Sequence, residues 1–244
     1  LWIQADGAAL AAMTTTVGGG SDDPSELRWS VRSDGHRGYA FLTTYQPARR
    51  PLEAQPGTQV HVELDGTTVT VPTRPVDLPA GVSVAWPLRY PLAEGLVLRS
   101  ATAQLLTRLP DGTGAADGGT GDSGAAAPGE QLGETVVLVA TDGVPVERVL
   151  DGDVRATGPM TARREDGTTV LDLTGDPGPE TVVRLHGPSG PPGVRVLVLD
   201  EATANRLYRL DVGGRERLVL SDVPVHALDG DLVVVRRQPD AADG

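Results

Sequence analysis

From Leu27 onward, apolar and polar positions alternate with a period of two, in runs of five to eight residues separated by tight-turn chemistry. The segment 28–32 (RWSVR) alternates, 33–38 (SDGHRG) is a turn, and 39–45 (YAFLTTY) alternates again, which predicts a hairpin with Asp34-Gly35 at its tip. A second hairpin is predicted from 59–64 and 67–72 around Asp65-Gly66. Val60, Val62 and Leu64 share one face there, and His61 and Glu63 the other. Residues 83–90 and 95–109 read as further strands, with 78–81 (LPAG) as the short loop before them. Beyond 134 the rhythm continues through 134–141, 144–150, 153–158, the hairpin 161–164/168–173, then 181–187 and 194–200. A last hairpin joins 217–228 to 231–237. Asp-Gly pairs stand at six of these strand ends (34, 65, 142, 151, 166 and 229), suiting turns whose central residues need positive φ.

Two stretches depart from this pattern. Residues 6–13 (DGAALAAM) favour a helix and are followed by a loop, GGGSDDPSE. Residues 200–210 (DEATANRLYRL) predict one short interior helix, centred on 201–209. Asp200 is its cap, Glu201 complements the N-terminal dipole, and Leu207 and Leu210 lie on one face. Residues 111–134 hold Gly and Ala with a single large aliphatic residue, Leu132, too little apolar surface to offset chain entropy, so a disordered Gly-rich insertion is predicted. Its GTGAADGG piece lacks the strand-then-helix flanks of a nucleotide-binding loop. The fold class is therefore all-β, built of antiparallel β-sandwich units rather than a parallel sheet. The units are expected at 25–110 and 135–238, with 1–24 as a lead-in and 239–244 as a linker or tail. The opening LWIQ and the closing PDAADG both look like cuts in a longer chain.

Composition narrows the chemistry. The 244 residues carry a formal net charge of −12, and all 21 basic residues are Arg. An acidic chain lacks the basic stripe that nucleic acid requires, and no apolar run approaches the roughly 18 residues of a membrane span. There is no Cys, hence no disulfide, thiolate zinc site or cysteine nucleophile. His36, His61, His186 and His226 are scattered without metal-ligand spacing, and no cofactor or metal is expected. Asp151-Gly152-Asp153 offers two carboxylates but not the rest of a calcium loop. No carboxylate pair stands out for glycoside cleavage, and no G-x-S-x-G elbow is present; GPSG at 187–190 reads as a loop. Aromatics are only 3% of the chain. Trp29, Tyr39, Tyr45 and Trp86 are the candidate sugar contacts, with Tyr39, Phe41 and Tyr45 sharing strand parity. In a core this poor in rings, service as core anchors is the simpler role.

The stretch from Leu10 to Leu109 resembles the segment that follows the catalytic barrel in glycoside hydrolase family 35, the β-galactosidases. The similarity runs through Leu27, Arg28, Trp29, Arg32, Asp34, Gly35, Gly38, Tyr39, Phe41, Tyr45 and Gln46. It continues through Pro79, Gly81, Trp86 and Pro87, then Leu98, Ala101, Thr102 and Ala103, with Ser100 where the family pattern has an aromatic. Residues 134–150 and 196–210 also have counterparts. The resemblance implies that residues 1–24 are a remnant of the barrel region, and that the barrel of the same polypeptide is the partner. It also implies that the galactoside is bound and cleaved by two glutamates upstream. No catalytic residue is carried over to this chain, whose part is non-catalytic support. The alternative is a free-standing carbohydrate-binding or adhesive β module, for which at least two of the aromatics should be exposed on one face.

Overall fold

The computed structural model describes residues 2–18, 23, 26–46, 52–110, 132–187 and 190–234. Helix α1 (Trp2–Ala12) runs into β1 (Thr14–Gly18). Strands β2 (Arg28–Ser33) and β3 (Gly38–Thr43) precede a long hairpin of β4 (Gln55–Leu64) and β5 (Thr67–Leu78). Then come β6 (Ser83–Ala93), β7 (Leu96–Ala101) and β8 (Gln104–Leu109). Beyond residue 131 follow β9 (Leu132–Val139), β10 (Glu147–Asp151), β11 (Arg155–Thr157), β12 (Met160–Glu165) and β13 (Thr168–Leu173). β14 (Val182–Gly187) and β15 (Gly190–Leu199) lead to α2 (Glu201–Ala204), β16 (Leu207–Asp211), β17 (Glu216–Leu220), β18 (Val225–Leu228) and β19 (Asp231–Val234). The fold is all-β, and among the described residues no helix is long and apolar enough to cross a membrane.

The strands form an eight-stranded sheet ordered β1-β2-β3-β6-β7-β10-β13-β12 and a five-stranded sheet ordered β11-β14-β15-β9-β8. β4–β5, β16–β17 and β18–β19 are separate two-stranded ribbons. The main core lies between the two large sheets, where Tyr39, Leu98, Leu150 and Leu171 meet Leu105, Leu138, Leu185 and Val198. Leu10 and Met13 of α1 close one side of it. On the other face of the eight-stranded sheet, Leu64, Val69, Val71 and Leu78 of the β4–β5 ribbon cover Leu42, Val84, Trp86 and Leu88. A third cluster joins Val137, Val139 and Leu199 to Ala204 and Leu207 on the far face of the five-stranded sheet. Because β9 sends Val136 and Leu138 to one core and Val137 and Val139 to another, its sequence is a continuous apolar run rather than an alternation.

Three of the six Asp-Gly pairs close two-residue hairpins with positive φ at both positions: Asp65-Gly66, Asp166-Gly167 and Asp229-Gly230. In the other three pairs only the glycine takes positive φ. A fourth positive-φ non-glycine residue, Arg89, has a different effect. Trp86 and Leu88 belong to the core under the ribbon, whereas Tyr90 and Leu92 belong to the main core, although all four share parity. The turn of the backbone at Arg89 exchanges the faces of β6. The pairing of β7 with β10 shifts register between Val149 and Leu150, so Leu98 and Ala101 can face the same core.

Two expectations are corrected. The helix predicted over 201–209 ends at Ala204. Asp200 caps it as expected, its carboxylate accepting from the Thr203 N–H at 2.8 Å and the Thr203 hydroxyl at 2.7 Å, bonds that hold its carboxyl below the usual range. Leu207 and Leu210 then enter β16 and pair with β17, where the ladder outweighs a weak helical period. Among the described strands the pairing is antiparallel except for β15 with β9, which runs parallel. β1 occupies Thr14–Gly18, partly where a loop was expected. Both large sheets draw strands from either side of residue 111. Residues 111–131 and 239–244 lie outside the described residues, and 132–134 open β9.

Candidate functional site

The four candidate sugar contacts separate into two pairs. Trp86 has no solvent exposure and is packed beneath the β4–β5 ribbon. Tyr39 is buried in the main core, its hydroxyl donating to the buried carboxylate of Asp6 in α1. Trp29 is 38% exposed and Tyr45 is 52% exposed. Trp29 pairs with Leu42, on the Trp86 side of the sheet, and its ring lies across Gly18 of β1. A Cβ on Gly18 would fall 2.0 Å from that ring, so the glycine makes room for the indole. The ring borders an open groove of about 420 Å³ with Val17, Phe41 and Val84. Tyr45 lies beyond the end of β3 and does not border this groove. The structure therefore leaves two of the four rings exposed, and those two do not share this groove. Phe41 is partly buried against the main core.

A polar centre that the sequence reading missed lies where the β4–β5 ribbon crosses β10, β12 and β13. Buried Glu147 accepts from the Thr73 N–H at 2.7 Å, from the Thr73 hydroxyl, and from Arg163 Nη2 at 3.0 Å. Arg163 also donates to Asp172 and, through Nε at 3.2 Å, to Glu165. Burial works against the Arg163 charge, but the bonds it donates to Glu165 and Glu147 and the nearby Asp172 charge outweigh it and hold the guanidinium above its ordinary pKa. The centre borders a cleft of about 500 Å³ that also includes Arg74 and Leu173. Two carboxylates beside a cleft invite an acid–base reading. Yet Glu147 already accepts bonds from three donors, and Asp172 is committed to the same arginine, so both carboxylates are engaged within the protein. The arrangement suits a clamp better than proton transfer.

Arginine pairing extends to other carboxylates. Asp151 meets Arg99 at 3.1 Å and Asp153 meets Arg164, so the two carboxylates of the possible calcium loop are each held by a separate guanidinium. Glu134 binds Arg108, whose guanidinium also reaches the carbonyls of Pro91 and Leu92. His36, exposed at the hairpin tip, contacts Asp65. His226 is exposed on β18. Among the described residues no group of three or more His, Asp or Glu side chains is placed to hold a metal ion. Pro188 and Ser189 of the GPSG stretch lie outside the described residues.

A second crevice, about 460 Å³, opens where the parallel pair β9–β15 ends and α2 begins. Ser83, Gln104, Thr141, Glu201 and Asn205 supply its polar groups, and no aromatic ring borders it. No family model and no curated protein matches the chain. The functional reading therefore rests on the residues and their placement.

The signal that could have exposed the Glu147 centre was the all-Arg basic set. Planar guanidinium groups pair with several carboxylates at once, as Arg163 does with Glu147, Asp172 and Glu165. The partners lie too far apart in sequence for a local pattern to show them.

Proposed function

We propose that this chain is the non-catalytic β-sandwich portion of a family 35 glycoside hydrolase, a β-galactosidase. In this reading it supports the catalytic barrel in hydrolysis of terminal β-galactosides and is inert alone. The observation that carries the reading is the ordered run of similarities between Leu27 and Ala103. The placement of those residues supports a structural role for them. Tyr39, Trp86, Ala101, Thr102 and Ala103 are buried. The Thr102 hydroxyl donates to the Pro145 carbonyl at 2.6 Å and accepts from the Glu147 N–H at 2.8 Å, tying β10 to the β7–β8 turn. Gly38 admits no side chain, because a Cβ would meet the Arg32 carbonyl at 2.4 Å. These are positions that build a sandwich rather than positions that face a ligand.

A second reading, a free-standing carbohydrate-binding module, is favoured by one observation, the half-exposed Trp29 ring over its groove. The two are separated by a pair of measurements on the purified chain. Under the first reading an aryl β-galactoside is not turned over, and galactose leaves tryptophan fluorescence unchanged. Turnover by a preparation free of contaminating glycosidase would overturn the non-catalytic role. A saturable fluorescence change that Trp29→Ala abolishes would establish the second reading instead.

A further inference from the structure

Arg148 occupies the middle of β10, a strand flanked on both sides by β7 and β13, and its side chain is 1% exposed. Its cross-strand neighbours are Ala101 and Leu171, and Leu150 follows it on the same face. All three belong to the main core between the two large sheets. Nε, Nη1 and Nη2 all lack a hydrogen-bond partner among the described residues. The carboxylate that attracts it electrostatically is Asp172. Asp172 sits opposite Glu147 in the ladder, on the other face of the sheet, and is bound there to Arg163.

A guanidinium has five N–H donors and no acceptor, and enclosing it unpaired is strongly unfavourable. Burial lowers its pKa only to about 10, so it keeps its proton at neutral pH. Water satisfies donors but leaves the charge uncompensated. The contrast with Arg163 and Arg108 is sharp, since both donate to carboxylates. Access has a candidate route. Val146, which immediately precedes β10 and packs in the same core, borders the cleft of about 500 Å³ together with Asp172, Leu173 and the arginines Arg74 and Arg163.

We propose that Arg148 is an internal anion site, taking a small monovalent anion of the size of chloride between the two large sheets. The ligand neutralises the guanidinium and joins β10 to the core across from it. The proposal is independent of the β-galactosidase reading.

Thermal unfolding of the purified chain in sodium chloride, sodium bromide and sodium gluconate at equal ionic strength tests it. Because a ligand bound only by the folded state raises stability with its concentration, the midpoint should climb saturably with either halide by about 2–4 °C and stay flat in gluconate. Arg148→Met, which replaces the cation by an apolar chain of similar length, should lose the halide dependence. Equal midpoints in all three salts, or a halide effect retained in Arg148→Met, would overturn the proposal. Should the variant not fold, anomalous diffraction from bromide-soaked crystals of the unaltered chain decides it. A bromide beside the Arg148 guanidinium supports the site, and its absence there refutes it.

Discussion

The Tyr39 hydroxyl and the Asp6 carboxylate are both buried, and one hydrogen bond between them fastens α1 to β3. Arg37 also stands near Asp6, at 3.8 Å. Tyr39→Phe keeps the ring and removes the donor, leaving a buried acceptor undersatisfied. The expected cost is about 1–3 kcal/mol, read as a lower urea midpoint with an unchanged m-value. If Asp6→Ala is combined with it, the two losses should sum to less than their separate values, because both remove the same bond. An unchanged midpoint in Tyr39→Phe would show that the helix docks through Leu10 and Met13 alone. Tyr39 also marks the limit of what was legible at this scale. Its strand parity and core role could be read locally. Its partner lies 33 residues upstream, in a helix whose docking no local pattern reveals.

Among elements, the hairpins were legible because their determinants are local. Asp-Gly fixes the turn and alternation fixes the faces, as in β4–β5, where Val60, Val62 and Leu64 do share the inward side. The segment after Asp200 was not, because Leu207 and Leu210 fit a helix spacing and a strand about equally, and pairing with β17 decides between them. β1 was missed for a similar reason: Thr14–Val17 lacks alternation and is exposed throughout, and its strand identity comes from β2. The polar clamp is the element-scale feature with the clearest consequence. Arg163→Met should release Glu147, Asp172 and Glu165 together. We expect a loss of about 2–3 kcal/mol, below the largest buried-pair values because part of Arg163 is reached by solvent. Faster hydrogen exchange should follow at Thr73, whose N–H bonds to Glu147, and exchange unchanged there would refute the clamp.

At the scale of the molecule, strands from either side of residues 111–131 join edge to edge within both large sheets. β7 pairs with β10, and β8 pairs with β9. The main core draws its side chains from both halves. Unfolding by urea should therefore be one cooperative event, with tryptophan fluorescence and far-ultraviolet circular dichroism giving coincident curves. Two separated transitions would mean independent units after all. The layering was only partly legible. The apolar runs at 135–139 and 194–199 mark strands covered on both faces, yet nothing local says that they lie side by side. Their parallel pairing joins residues about 60 positions apart, and contacts at that separation close slowly. Five strands that belong to two different sheets, β10 to β14, lie between them in the chain. The β9–β15 pair is thus a late keystone in folding, and the chain's slowest step should be the one that seats it.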